Sequence, residues 1–194
     1  MARRQSPRRG FTLVELMLVV TIVGVLAALA TYGVRKYVSY AKTTEARSSL
    51  GELARDASSA YDRDTMSGGV LPLGTSTLRA SNSLCATSTR VPSTIGSIQG
   101  HKYQSSPTEW TGTDIYTGWA CLKFHMKDPQ YYMYQYIATG TGDVGDSFQA
   151  IAQGDLNGDG VTSRFLLSGK IQGGHGGGVE LTLAPNIDEI SPDE

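Results

Sequence analysis

Glu15 is the residue whose position most demands an explanation. It lies one helical turn into an apolar segment, and the stretch after it, LMLVVTIVGVLAALATYGV from Leu16 to Val34, carries no charge. A carboxylate at that depth is costly in lipid, so it is usually functional and paired. A cut between Gly10 and Phe11 would create a partner, a new α-amino group on Phe11. The amine of one subunit would then pair with Glu15 of the next, neutralising both charges and setting the axial register. The plainer reading is a membrane anchor with a glutamate near its interface.

Asp155-Leu156-Asn157-Gly158-Asp159-Gly160 matches the first half of an EF-hand-like calcium loop, with oxygen ligands at alternate positions and glycine at the sixth. The twelfth position, where a bidentate glutamate belongs, holds Leu166. A hairpin turn accounts for Asp155, Asn157 and Asp159 without a metal and is the preferred reading. Calcium is the one cofactor the sequence suggests, and no cofactor is the expectation.

Tyr131, Tyr132, Tyr134 and Tyr136 would make a stacking platform for nucleic acid or sugars. Only Lys123 and Lys127 accompany them, so cross-strand packing within a sheet is expected instead. His101, His125 and His175 are too scattered for a metal site, and His175 sits in a glycine-rich loop. No phosphate-binding glycine loop, Gly-x-Ser-x-Gly elbow or His-Glu-x-x-His helix occurs. An enzyme is therefore not expected. Cys85 and Cys121 fit one disulfide in an exported protein; two buried free thiols fit the pair as well.

The elements that would position these residues follow from length and periodicity. The uncharged segment is just long enough, at about 1.5 Å per residue, to cross a hydrocarbon core of ~30 Å. It is not an ordinary secretory signal, because Arg35 and Lys36 follow it where a small-residue cleavage site would stand. Arg3, Arg4, Arg8 and Arg9 precede Gly10 with no acidic residue among them, which puts residues 1–10 on the cytoplasmic side. Beyond Val34 the helical pattern turns amphipathic, with Leu50, Leu53, Ala54, Ala57, Ala60 and Tyr61 in one apolar stripe. The helix is expected to end near Asp64, ahead of Ser67-Gly68-Gly69. Without the four leading arginines the chain holds 13 basic against 18 acidic residues, a net charge of −5. Nucleic acid is then not expected as a partner, since phosphate binding needs a basic surface.

Arg8-Arg9-Gly10-Phe11-Thr12-Leu13-Val14-Glu15-Leu16 resembles the prepilin cleavage and N-methylation site of type IV pilins and their pseudopilin relatives. The likeness is dense from Arg8 to Ala30 and thins beyond. It implies cleavage after Gly10 by a membrane prepilin peptidase, methylation of the Phe11 amine and a role for Glu15 in assembly. It also implies an inner-membrane precursor that becomes a homo-oligomeric helical filament, an extracellular pilus. Many bacterial type IV pilins have proline where this chain has Tyr32; here only Gly24 and Gly33 weaken the helix, each by about 1 kcal/mol relative to alanine.

The family resemblance implies an α+β fold, the type IV pilin fold, and the pattern of the remaining residues agrees. After the leader (1–10), the filament-core segment (11–34) and the amphipathic helix (35–64), residues 65–117 read as a connecting loop with room for a short helix or strand. A Cys85–Cys121 bridge would pin that loop. Residues 118–183 read as an antiparallel sheet of four or so strands. Its strand signals are Trp119 to Met126, Tyr131 to Thr139, Ser147 to Gln153, Val161 to Ile171 and a short edge at Val179 to Leu183. Residues 184–194, acidic and holding two prolines, read as a surface tail. The expected function is a structural pilus subunit for adhesion or motility; the alternatives are a type II secretion pseudopilin and a tip-located minor pilin that binds a ligand.

Overall fold

A computed structural model of the chain describes residues 10–63, 73, 82–112, 114–174, 178–192 and 194. The arginines before Gly10, the expected helix end near Asp64, Ser67-Gly68-Gly69 and the loop around His175 lie outside the described residues. The chain divides into two units, residues 1–38 and residues 39–194. Helix α1 runs Leu13–Tyr61 and contributes to both.

In the first unit no apolar residue of α1 is buried: Leu16, Val20, Leu26 and Leu29 are each more than half exposed. In the second, α1 buries the stripe expected from its periodicity. Ala46, Leu50, Leu53, Ala54, Ala57, Ala60 and Tyr61 all lie in the core. Burying a leucine such as Leu50 or Leu53 contributes roughly 2 kcal/mol.

The sheet has five antiparallel strands, β1 (Met133–Thr139), β2 (Ser147–Gly154), β3 (Ser163–Gly173), β4 (Val179–Leu183) and β5 (Asp188–Ile190). The first three form a meander, and β4 and β5 both pair with β3 along its other side. Alternation puts Tyr134 and Tyr136 of β1, with Tyr132 just before it, on the face that packs into the core. Phe148 lies opposite Gly169 in the ladder. A Cβ on that glycine would stand 2.2 Å from the Phe148 ring, so only glycine lets the ring lie across β3. The outer edge of β1 is covered by residues 84–91. There Val91 and Tyr134 exchange backbone bonds of 3.0 and 2.8 Å, and Ser88 N–H donates to the Tyr136 carbonyl at 2.9 Å.

Two sequence expectations need correction. Trp119 to Met126 is not a strand: Gly118–Leu122 is a short helix, α2, and the sheet begins at Met133 rather than residue 118. Trp119 and Leu122 are both 1% exposed, and a spacing of three buries them together on one side of a helical turn. The short helical pieces allowed for within the loop 65–117 are the 3₁₀ turns Ile95–Ser97 and Pro107–Trp110. The tail 184–194 lies on the surface as expected but adds a strand, β5, so the sheet extends beyond residue 183. Ala184 and Ile187 pack against the core, and Glu189 of β5 forms a two-pronged ion pair with Arg47 of α1, at 2.7 and 3.0 Å.

Glu45 joins α1 to the entrance of β1. Its carboxylate accepts the Tyr131 N–H at 2.8 Å and the Tyr134 hydroxyl at 3.4 Å. Burial pushes this carboxyl above the usual value, opposed by the Tyr131 N–H, the Lys102 charge and the Tyr134 hydroxyl. A raised folded-state value means the fold binds this proton more tightly than the unfolded chain does. The stability it contributes is then full at acid pH and is lost as pH rises through the folded value. Replacing Glu45 with glutamine removes that slope. In denaturant titrations the Glu45→Gln variant should gain on the wild type as pH rises from about 4 to about 7.

The Tyr136 hydroxyl is fully buried and has no hydrogen-bond partner among the described residues. An orphaned buried hydroxyl costs free energy that its removal recovers. Tyr136→Phe should raise unfolding stability by about 1 kcal/mol, read as a higher denaturation midpoint at unchanged slope.

Candidate functional site

The first candidate site is the start of α1. Thr12 and Glu15 close a reciprocal cap: the Glu15 N–H donates to the Thr12 hydroxyl oxygen at 3.3 Å, and the Thr12 N–H and hydroxyl both donate to Glu15 Oε2 at 2.9 Å. This is the Ser/Thr-x-x-Glu capping box, which satisfies backbone donors that the first helical turn leaves open. The signal stood in the sequence as Thr12-Leu13-Val14-Glu15, and Thr12 is the residue that sequence reasoning passed over. Both bonds to the carboxylate fall on Oε2; Oε1 has no partner among the described residues. Gly10 and Phe11 precede the helix and are exposed, Phe11 at 86%. The bond between them is therefore open to a protease, and the α-amine that cutting would release lies four residues from Glu15. From there α1 is long and apolar enough to cross a membrane, with a mean hydropathy of 2.6 in its most apolar stretch and none of that stretch buried.

The second candidate is the turn from Asp155 to Gly160 between β2 and β3. Asp155 is fully buried. Its Oδ1 accepts the Gly158 N–H at 2.7 Å, and its Oδ2 accepts the Gly160 N–H and the Gln99 amide, each at 3.0 Å. Burial alone would raise this carboxyl, but the Gln99 amide and the backbone donors outweigh burial and hold it below the usual range. Asn157 Oδ1 accepts the Asp159 N–H at 2.9 Å, and Asp159 Oδ1 accepts the Val161 N–H at 2.7 Å. Gly158 and Gly160 adopt φ of 78° and 92°, the left-handed region that the turn requires. Asp155, Asn157 and Asp159 thus direct oxygens at the turn's own donors. No grouping of three His, Cys, Asp or Glu residues suited to a metal occurs among the described residues. The turn also fixes a neighbour, since the Gly100 N–H donates to the Asp155 carbonyl at 2.9 Å.

Cys85 and Cys121 are joined in a disulfide with Cα atoms 5.7 Å apart. The bridge fastens the segment alongside β1 to α2, and the Arg63 guanidinium near the end of α1 donates to the Cys121 carbonyl. Beside it Trp110, Trp119 and Phe124 pack with ring centroids 4.9 to 5.6 Å apart. The tyrosine cluster divides: Tyr132, Tyr134 and Tyr136 are core residues, whereas Tyr131 is flanked by Lys42 and Lys102, each 4.7 Å from its ring centre. Those lysines are distant in sequence, so inspection of neighbours such as Lys123 and Lys127 could not find them.

Residues 5–31 match the prokaryotic N-terminal methylation motif. Over 49 residues the chain is 45% identical to fimbrial protein Q of Moraxella bovis, covering 25% of this chain and 29% of that protein. It is 49% identical over 51 residues to the type IV major pilin protein PilA of Myxococcus xanthus, 26% of this chain and 23% of the other. A type IV major alpha-pilin of Moraxella bovis is 43% identical over 54 residues, 27% and 34% of the two chains. The matched part thus spans between a quarter and a third of these relatives, or slightly less. No solved structure matches the chain.

Because Asp155 spends its carboxylate on three donors, the turn should hold without calcium. Chelator or millimolar calcium should leave the melting temperature of the full chain unchanged, and a rise of several degrees with calcium would restore the metal reading. Asp155→Ala strands those donors and should cost about 2 kcal/mol of stability, measured by denaturant titration with and without calcium.

Proposed function

We propose that this chain, a member of the type IV pilin family by its N-terminal segment, is a structural subunit of a type IV pilus. The observation that carries the reading is a capped helix start on an apolar helix half of which none is buried among the described residues. An exposed apolar surface of this length must be covered by lipid or by other proteins. The bilayer covers it in the precursor, held in the inner membrane with residues 1–10 on the cytoplasmic side. After a prepilin peptidase cuts between Gly10 and Phe11, the same surface is covered by the α1 helices of neighbouring subunits in a helical filament outside the cell.

Glu15 acts in both states. Before assembly its Oε2 caps α1 through Thr12 and so satisfies open N–H groups that lipid could not. During assembly its Oε1 receives the Phe11 amine of an adjacent subunit, which removes two charges from an apolar setting and selects one axial register. The work of the subunit is assembly rather than catalysis, and adhesion or motility is what the filament serves. A pseudopilin or a tip-bound ligand-binding subunit is not favoured, since the similar proteins named above are major pilins and a fimbrial protein.

Glu15→Ala should leave the precursor inserted and cleaved but lower the yield of sheared surface filaments by at least about tenfold, the effect of leaving a buried amine unpaired. Normal filament yield from this variant would end the register mechanism. Mass spectrometry of wild-type filaments should find Phe11, methylated, as the first residue and this chain as the bulk component.

A further inference from the structure

The sheet has two unlike edges. At the β1 side, Trp119 and Phe124 with Trp110 form the floor of a groove of about 380 Å³. Exposed Lys123 and His125 stand on its rim, and no carboxylate lines it. Lys123 has no charged partner among the described residues. Lys123 sits at φ 61°, closing α2, so its place on the rim is set by backbone geometry rather than by a flexible loop. At the opposite edge, β5 turns Glu189 toward Arg47 of α1 and leaves Asp188 and Ile190 on its other face, both exposed, Ile190 at 54%. The Glu194 carboxylate is held nearby, where it accepts the Asn157 amide at 2.7 Å.

Net charge also differs between the two parts of the sequence that hold these edges. From Gly140 to the C-terminus the sequence has nine acidic residues and two basic ones; from Asn82 to Tyr131 it has three acidic and four basic. Exposed Ile190 beside the Asp188 carboxylate at one edge complements an aromatic groove with Lys123 on its rim at the other. Patches that differ from each other and lie on opposite edges make a head-to-tail contact, and such a contact propagates rather than closing into a dimer.

We propose that the β5 edge of one subunit, through Ile190 and Asp188, docks on the Trp119–Phe124 groove of a second copy, with Lys123 facing Asp188. The proposal rests on the filament reading and adds a contact between globular parts to the one made by α1. Ile190 enters the apolar floor, and the opposed charges align the two copies and reject the reversed pairing.

The test uses the full-length chain in cells that assemble it. Lys123→Glu and Asp188→Lys each place like charges in the contact and should lower filament yield about tenfold, while the membrane pool of processed subunit keeps its Cys85–Cys121 bridge. The double variant Lys123→Glu/Asp188→Lys should recover yield to within about twofold of wild type. A second measurement does not depend on yield: subunits carrying both Lys123→Cys and Asp188→Cys should give a ladder of disulfide-linked multimers in filaments, and neither single variant should. Filaments that form with no ladder, or charge reversals without effect, would overturn this contact and leave the pilus reading standing. A wild-type chain that forms no filament would overturn both.

Discussion

One constraint governs the molecule: the first part of α1 is free of charge from Leu16 to Val34 and, among the described residues, none of it is buried. Leu16, Val20, Leu26 and Leu29 face outward, so the free energy of exposing them to water favours any setting that hides them. Lipid and neighbouring apolar helices are equivalent solvents for such a surface, and the proposed function uses both in turn. In that proposed filament the single carboxylate at its start gives direction to an otherwise featureless rod. Apolar packing alone tolerates axial sliding; a charge that must be paired does not.

The second part of α1 meets the opposite demand. Here small residues, Ala46, Ala54 and Ala57, alternate with Leu50 and Leu53, and all are buried under a sheet whose inner face is dominated by aromatic rings. The sheet is held to the helix at two places by polar groups. Arg47 grips Glu189 of β5, and Glu45 accepts the backbone N–H of Tyr131 ahead of β1. These contacts sit near opposite edges of the sheet and fix its angle on the helix, which apolar contact alone would leave loose.

The irregular stretch between helix and sheet is organised by being tied to something regular. Residues 84–91 cover the β1 edge, the disulfide fastens them to α2, and Gln99 and Gly100 bond Asp155. Closing a loop of 36 residues by the bridge restrains the unfolded chain by something like 3–4 kcal/mol. That covering also removes one open edge of the sheet, where unpaired backbone groups would invite unwanted pairing. The β4–β5 side remains the edge available for contact with another copy.

What could be read from the sequence is what depends on near neighbours. The charge-free run of Leu16 to Val34, the buried stripe from Leu50 to Tyr61 and the positive-φ glycines of the Asp155 turn each express a period or a local bond. The Thr12–Glu15 cap belongs with them and could have been read. Tertiary structure decided the rest. Trp119 to Met126 alternates like a strand, yet Trp119 and Leu122 enter the core together only as a helical turn fastened through Cys121. The acidic tail looks solvated until Arg47, far back in the chain, turns Glu189 into a strand residue. Lys102 and Lys42 also reach Tyr131 from well outside its sequence neighbourhood. A local period is written in consecutive residues, whereas the partner of a charge or ring is chosen by the fold, and no spacing along the chain encodes it.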